Sequence, residues 1–334
     1  MPLKVRSRLI RSALPTAKVF ACILGVACQF LGAQTSFFWL TDAASPRGLA
    51  LANSQVAGRT MTEALALNPA GLATPESHGG RDRLLIVGMR WYPAGIMQQS
   101  TQLIIPGKSG IVGLEIARMD CGTLNGYDSD GNETDAYSAS DLLIRTGLQR
   151  NLGPYLSAGL TIGGIHGQLE ETSALALLWS LGVQLYSPRL NASIGLVSQN
   201  NGRLVDQYVI ASTADELPSA YHVGLAKGLK YLPLTIFVSG GIIKDVDIPI
   251  IRAGGEFRLA GGARLRLGVD QGKLDYAREN TYGDLISGLS LGLGYEPVET
   301  DGVRRWRQLL MADWAIKLMG PLGVTSSLAV GLKF

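Results

Sequence analysis

Charge, cysteine, histidine and long apolar runs are all scarce in this chain. Only 17% of its 334 residues are charged, against roughly a quarter in ordinary soluble domains. The 30 Lys plus Arg nearly cancel the 27 Asp plus Glu, for a formal net charge of +3, which argues against a nucleic-acid partner that would be held through its phosphates. Of three cysteines, Cys22 and Cys28 fall in the amino-terminal apolar run, so Cys121 alone remains and builds neither a disulfide framework nor a thiolate metal site. His78, His166 and His222 share no metal-ligand spacing, and no cofactor is expected. The apolar run from Val19 to Leu31 falls short of the roughly 20 residues a spanning helix needs. Beyond Arg83 no helical stripe of useful length occurs. Disorder is excluded by a 46% hydrophobic content, ample to offset chain entropy.

What is present is glycine, 42 residues, about twice the usual share, together with an export signal and many strands. Lys4, Arg6, Arg8, Arg11 and Lys18 precede the apolar run, and Gly32 and Ala33 follow it, the pattern of a signal peptide over residues 1–33 cleaved after Ala33. A lipoprotein signal ending at Cys28 is the alternative, with Gly25 standing where such signals carry Leu. From residue 83 on, alternating segments closed by Gly, Pro, Asn or Asp recur to the last residue. They lie at 83–92, 98–106, 110–119, 137–150, 155–167, 173–187, 189–199, 219–229, 231–243, 250–259, 262–271, 285–296, 306–318 and 324–334. Residues 83–334 thus allot about 18 residues to each strand with its connection, where 9 to 11 suffice for a tilted strand to cross hydrocarbon. The even count fits a single-chain barrel.

Parity divides each strand into two faces. Ala263, Leu265, Leu267 and Val269 oppose Arg264, Arg266, Gly268 and Asp270, and Ile251, Ala253, Phe257 and Leu259 oppose Arg252, Glu256 and Arg258. Ala312, Trp314, Ile316 and Leu318 oppose Asp313 and Lys317, and Glu115, Arg145 and His222 fall on the polar parity of their own strands. A soluble sandwich would alternate in the same way. The export signal, the length of the strands and a last strand that sets Leu328, Val330, Leu332 and Phe334 on one face favour a membrane barrel. The expected fold is therefore all-β: a 14-stranded antiparallel transmembrane barrel over 83–334, preceded by an amino-terminal plug over 34–82. Glu115, Arg145, His222, Arg252, Glu256, Arg264, Arg266, Asp313 and Lys317 are the candidate lumen-lining residues.

The plug region holds Arg47-Gly48-Leu49-Ala50-Leu51-Ala52-Asn53 and then Ala64-Leu65-Ala66-Leu67-Asn68-Pro69-Ala70-Gly71-Leu72-Ala73. Pro69 fixes its own backbone and turns Asn68 away from helix, and the Asn amide bonds backbone two residues on, so Asn68, Pro69 and Ala70 make a rigid turn that Leu67 and Leu72 anchor. These blocks resemble the PorV/PorQ outer-membrane proteins and their wider relatives, the FadL-type long-chain fatty acid transporters. Asp130-Gly131-Asn132, Tyr137 to Leu142, Leu217 to Leu225 and the final strand extend the resemblance over the mature chain. Gly58 to Glu63 departs from the acidic or small run that usually precedes the Asn-Pro-Ala box. The resemblance implies an outer-membrane location, insertion by an assembly machine that reads Leu328, Val330, Leu332 and Phe334, and a hatch at Asn68, Pro69 and Ala70. As a PorV/PorQ-type protein the chain would bind secreted cargo or secretion-system partners. As a FadL-type protein it would admit hydrophobic small molecules. The charged lumen candidates, against few apolar ones such as Ile86, Leu143 and Leu178, favour the cargo-binding role.

Catalysis is not expected. Gly288-Leu289-Ser290-Leu291-Gly292 matches a nucleophile elbow, but the stretch continues as strand through Leu293 and Tyr295 rather than turning into a helix. Asp128, Asp130 and Asn132 sit at calcium-loop spacing without the Gly and distal Glu that loop requires.

Overall fold

A computed structural model describes residues 36–59, 61–73, 82–127, 132–208, 216–244, 249–270, 286–297 and 309–334. The signal peptide expected at 1–33, His78, and Asp128 and Asp130 lie outside the described residues. Fourteen antiparallel strands close on themselves. They are β1 (Leu84–Trp91), β2 (Met97–Gly107), β3 (Gly110–Tyr127), β4 (Glu133–Asn151), β5 (Leu156–Leu169), β6 (Thr172–Ser187) and β7 (Ala192–Asp206), then β8 (Ala220–Gly228), β9 (Leu234–Ile243), β10 (Ile250–Arg258), β11 (Ala263–Asp270), β12 (Leu289–Tyr295), β13 (Leu310–Leu318) and β14 (Val324–Lys333). Each strand pairs with its neighbours in sequence, and β1 meets β14 from Leu84↔Lys333 to Trp91↔Ser326, so no edge is left open.

The alternation read from sequence sets the faces. On β6, Leu175, Leu177, Trp179, Leu181, Val183 and Leu185 are exposed, and the residues between them are buried. Leu328, Val330, Leu332 and Phe334 are likewise exposed on the outer face of the closing strand. An apolar belt of this extent around a closed barrel is a lipid-facing surface, because water would not tolerate so large a contiguous patch. The chain is a transmembrane β-barrel of the outer-membrane type.

Three strands run further than the alternation suggests, β4 by starting at Glu133 rather than 137 and β3 and β7 through bulges. β3 continues past residue 119 to Tyr127 through register shifts at Asp120/Thr123 and Leu124/Gly126, with Gly122 at φ 69. β7 continues past 199 to Asp206 through a shift opposite Trp179/Leu181, where Asn200 takes φ 51. One extra residue in one strand flips the side-chain phase, so a reader of period two sees an end where there is a bulge.

Residues 36–73 lie inside the barrel. They contain helix α1 (Pro46–Ala50), helix α2 (Ala64–Leu67) and single turns at Phe38–Thr41, Gln55–Ala57 and Pro69–Gly71. Ser45 caps α1 by accepting from the Gly48 amide at 2.9 Å, and Pro46 stands at the first helical position, where its missing N–H costs nothing.

Candidate functional site: the lumen and its inner segment

The inner segment is seated on a belt of inward-facing glycines. A Cβ on Gly113 or Gly147 would come within 2.8 or 2.5 Å of Leu65, and one on Gly159 would fall onto the backbone of Pro69 and Ala70. Gly182 and Gly195 face Asn68. Gly224 would meet Val56 at 2.7 Å, Gly254 would meet Ser54 at 2.7 Å, Gly268 would meet Ala50 and Ala52 at 2.6 Å, and Gly292 faces Ala50. These glycines occupy β3, β4, β5, β6, β7, β8, β10, β11 and β12, so the segment touches the wall nearly all the way round.

Polar wall residues then satisfy the segment's carbonyls, which would otherwise be buried without partners. Gln184 donates to the Ala57 carbonyl at 2.5 Å and Ser193 to the same oxygen at 2.6 Å. Gln199 donates to Ala66 and Leu67 at 3.0 and 2.5 Å, Ser157 to Ala70 at 2.8 Å, and Arg90 to Ala43 and Ser45 at 2.7 and 3.0 Å. The Asn68-Pro69-Ala70 turn takes the form its sequence implies: the Asn68 side chain accepts from the Ala70 amide at 3.1 Å and donates to the Val56 carbonyl at 2.8 Å. Leu67 and Leu72 beside it are fully buried.

Charge forms a second attachment. Arg47 of α1 donates to Glu63 at 3.0 Å and to Glu256 of β10 at 2.8 and 3.2 Å. Arg266 also reaches Glu256 at 2.7 Å and pairs with Asp313. Glu63 accepts from Ser45 at 2.5 Å and Thr62 at 2.6 Å. Burial alone would raise the Glu63 carboxyl, but the Arg47 guanidinium and these hydroxyls hold it below the usual carboxylate range. Burial likewise opposes the charged form of Arg47, and Glu256 and Glu63 more than restore it. Arg252 donates to Asp42 at 3.1 Å and lies 3.7 Å from Asp270, which Lys317 contacts at 3.2 Å. Asp42 is partly buried, yet Arg252, Lys317 and Arg90 hold its carboxyl low.

All nine candidate lumen residues sit on the inner face, but they do not form one site. Glu256, Arg266, Asp313, Arg252 and Lys317 belong to the networks above. Arg264 pairs with Glu296 at 3.3 Å near one end of the barrel. Glu115 and Arg145 form their own buried pair, supported by Gln102 at 2.8 Å, across the lumen from the rest. His222 is buried with its Nε2 unpartnered. Sequence reasoning passed over Arg47 as an anchor, although it is the only charge between Ala43 and Gly58, and over the inward glutamines of β2, β4, β6 and β7. Ser290 lies buried within β12, and the strand runs on to Tyr295 instead of turning at the serine as an elbow does.

Beside the Glu115–Arg145 pair, β3 to β6 carry an apolar patch larger than the few apolar lining residues expected. Ala117, Leu143, Ile165, Ala174, Ala176 and Leu178 of β3 to β6 form a continuous inner patch, joined by Leu217 and filled by Phe37 and Leu40 of the segment. Register brings them together: Ala117 opposes Leu143, Leu143 opposes Ile165, and Ile165 opposes Ala176. Trp39, Leu204 and Tyr208 pack around this chamber. The charges that dominated the sequence reading stand mostly on β10 to β13, the opposite wall.

No family model matches the chain, and no curated protein does. Solved structures do. The Pseudomonas putida toluene transporter TodX superposes with a TM-score of 0.60 at 11% identity, over 88% of this chain and 99% of TodX. The CymD monoaromatic hydrocarbon channel gives 0.56 at 11%, over 87% and 96%. A Pseudomonas aeruginosa FadL homologue gives 0.54 at 11%, over 87% and 98%. At such identities the likeness is one of fold: the chain is built as these barrels are.

Proposed function

We propose that this protein is an outer-membrane channel that admits hydrophobic small molecules, with the inner segment as its hatch. The apolar chamber carries the reading. Its lining from β3 to β6, with Leu217, is contiguous and buried, and what fills it is a short apolar piece of the chain itself. Phe37 and Leu40 thus hold the place an apolar ligand would take. Their stretch is held lightly, by Ser36 to the Glu216 carbonyl at 3.0 Å, Trp39 to Asp141 at 2.8 Å and Asn200 to the Leu40 carbonyl at 3.2 Å. Residues 47–70, by contrast, rest on the glycine belt, so the moving part is the stretch before Asp42 rather than the whole hatch. Structural neighbours described as toluene and hydrocarbon channels support the same substrate class. No observation favours a cargo-binding role in secretion, and it is not retained. Insertion through the outward row Leu328, Val330, Leu332 and Phe334 of the closing strand remains part of the proposal. The test is uptake of a radiolabelled apolar aromatic by cells expressing the protein as their sole such channel. Leu143→Arg, a charge in the chamber, abolishes uptake while leaving a heat-modifiable barrel; undiminished uptake by that variant would overturn the reading.

A further inference from the structure

The outer wall carries a groove of about 1000 Å³. Register shows how it arises. Two adjacent rows of outward side chains cross β3 to β7: Leu114, Thr146, Ile162, Trp179 and Asn201 in one, and Ile144, Gly164, Leu177 and Arg203 in the next. Gly164 is the one position in these rows without a side chain. A Cβ there would meet nothing closer than 3.6 Å, so the outer row is lowest between Ile144 and Leu177, the register partners of Gly164, and both of these line the groove. Where that row is low the groove floor reaches the backbone strip that carries Arg145, Gly163 and Leu178.

At its β7 end the groove turns polar. The bulge at Asn200 carries Asn201 and Arg203 onto the outer face, where Leu177 is the partner of Arg203. Arg203 is exposed and has no ion-pair or hydrogen-bond partner among the described residues; Asp206 nearby accepts from the Gln207 amide. Its level follows from the loops. At the end bearing the chain termini the connections 108–109, 152–155, 188–191 and 259–262 are short, with 296–309 the exception, whereas 207–219 and 271–288 lie at the other end. Short periplasmic turns and long outer loops are the outer-membrane pattern, which puts the upper part of β7 on the outer-leaflet side.

We propose that this groove binds a phosphorylated acyl lipid of the outer leaflet, an acyl chain lying over Gly164 and a phosphate meeting Arg203. The apolar lining suits methylene groups, and a guanidinium at the headgroup level offers a planar fork of donors to phosphate oxygens. The site lies on the lipid face and does not depend on the channel reading.

Full-length protein in mild detergent is titrated with diphosphoryl lipid A and read by native mass spectrometry. The wild type retains one lipid molecule. Arg203→Ala lowers retention at least tenfold, and Gly164→Leu, which fills the dip without touching the cation, does the same. Dephosphorylated lipid A binds the wild type as weakly as the phosphorylated form binds Arg203→Ala. Arg118→Ala, which removes an outward cation already paired with Asp120 at 3.3 Å, leaves retention unchanged. Equal retention by wild type and Arg203→Ala, or indifference to the phosphates, would overturn the proposal. So would a wild-type dimer that Gly164→Leu dissociates, which would give the groove to a second copy of the chain.

Discussion

A single methyl group decides how close the inner segment lies to the wall. Gly159 faces the Pro69 backbone, so Gly159→Val should displace the Asn68-Pro69-Ala70 turn and destabilise the segment's seating by about 1–3 kcal/mol, the range for overpacking a filled site. Faster proteolysis of the segment within a barrel that stays folded is the expected readout; outward Gly164→Ala, whose methyl would make only ordinary contacts at 3.6 and 3.8 Å, serves as the neutral comparison. Glu63 makes the attachment sensitive to acid. Its carboxyl is held low in the folded state, so its contribution is complete above the unfolded value, near 4, and is lost as pH falls through the lower folded value. Segment protection should therefore be flat from pH 7 to 5 and decline only in stronger acid, and Glu63→Gln should reduce protection at neutral pH and flatten the acid decline. Protease protection measured across that range checks both.

The strands were legible because period two survives any local context, and all fourteen segments correspond to strands. Leu291 is exposed on β12 and Ser290 beside it is buried, as their parity requires. Leu291→Arg should destabilise the barrel by about 2–4 kcal/mol if it lies near the midplane, measured by urea unfolding in lipid vesicles. The bulges were illegible for a matching reason: Asn200 and Gly122 carry turn chemistry, and only pairing with β6 and β4 shows that the strand continues. The glycine belt was illegible too. Glycine in a strand signals a bulge, a bend or a close approach with equal force, and Gly147 or Gly182 gains its meaning only when Leu65 or Asn68 is seen against it.

In the molecule as a whole, the sequence reading weighed the lumen too far toward charge. Counting charges on the inner parity found Arg252, Glu256, Arg266 and Asp313 and weighed them as lining, whereas the segment engages Glu256 through Arg47 and Arg252 through Asp42, and Arg266 joins Asp313 to the same Glu256. The small apolar residues Ala117, Ala174 and Ala176 gave little signal alone, yet register gathers them into the chamber. Removing residues 34–81 should leave an assembled barrel with a higher single-channel conductance in planar bilayers, because side chains alone do not fill a lumen of fourteen strands.

The order in which the segment meets the wall also bears on how the molecule is made. Read from Ala50 to Val56, its contacts pass from β12 and β11 through β10 to β8 and β7, opposite to the order of synthesis; Leu65 then meets β3 and β4, and Asn68 and Pro69 return to β6 and β5. A chain already closed at β1 and β14 would have to thread 38 residues into a lumen with no slack at nine glycines. The segment is better viewed as a mandrel on which successive hairpins are wound, with the β1–β14 seam sealed last around it. In pulse-labelled assembly, the segment should then become protease-resistant before the barrel becomes heat-modifiable, and a Gly159→Val chain should stall with its seam unsealed.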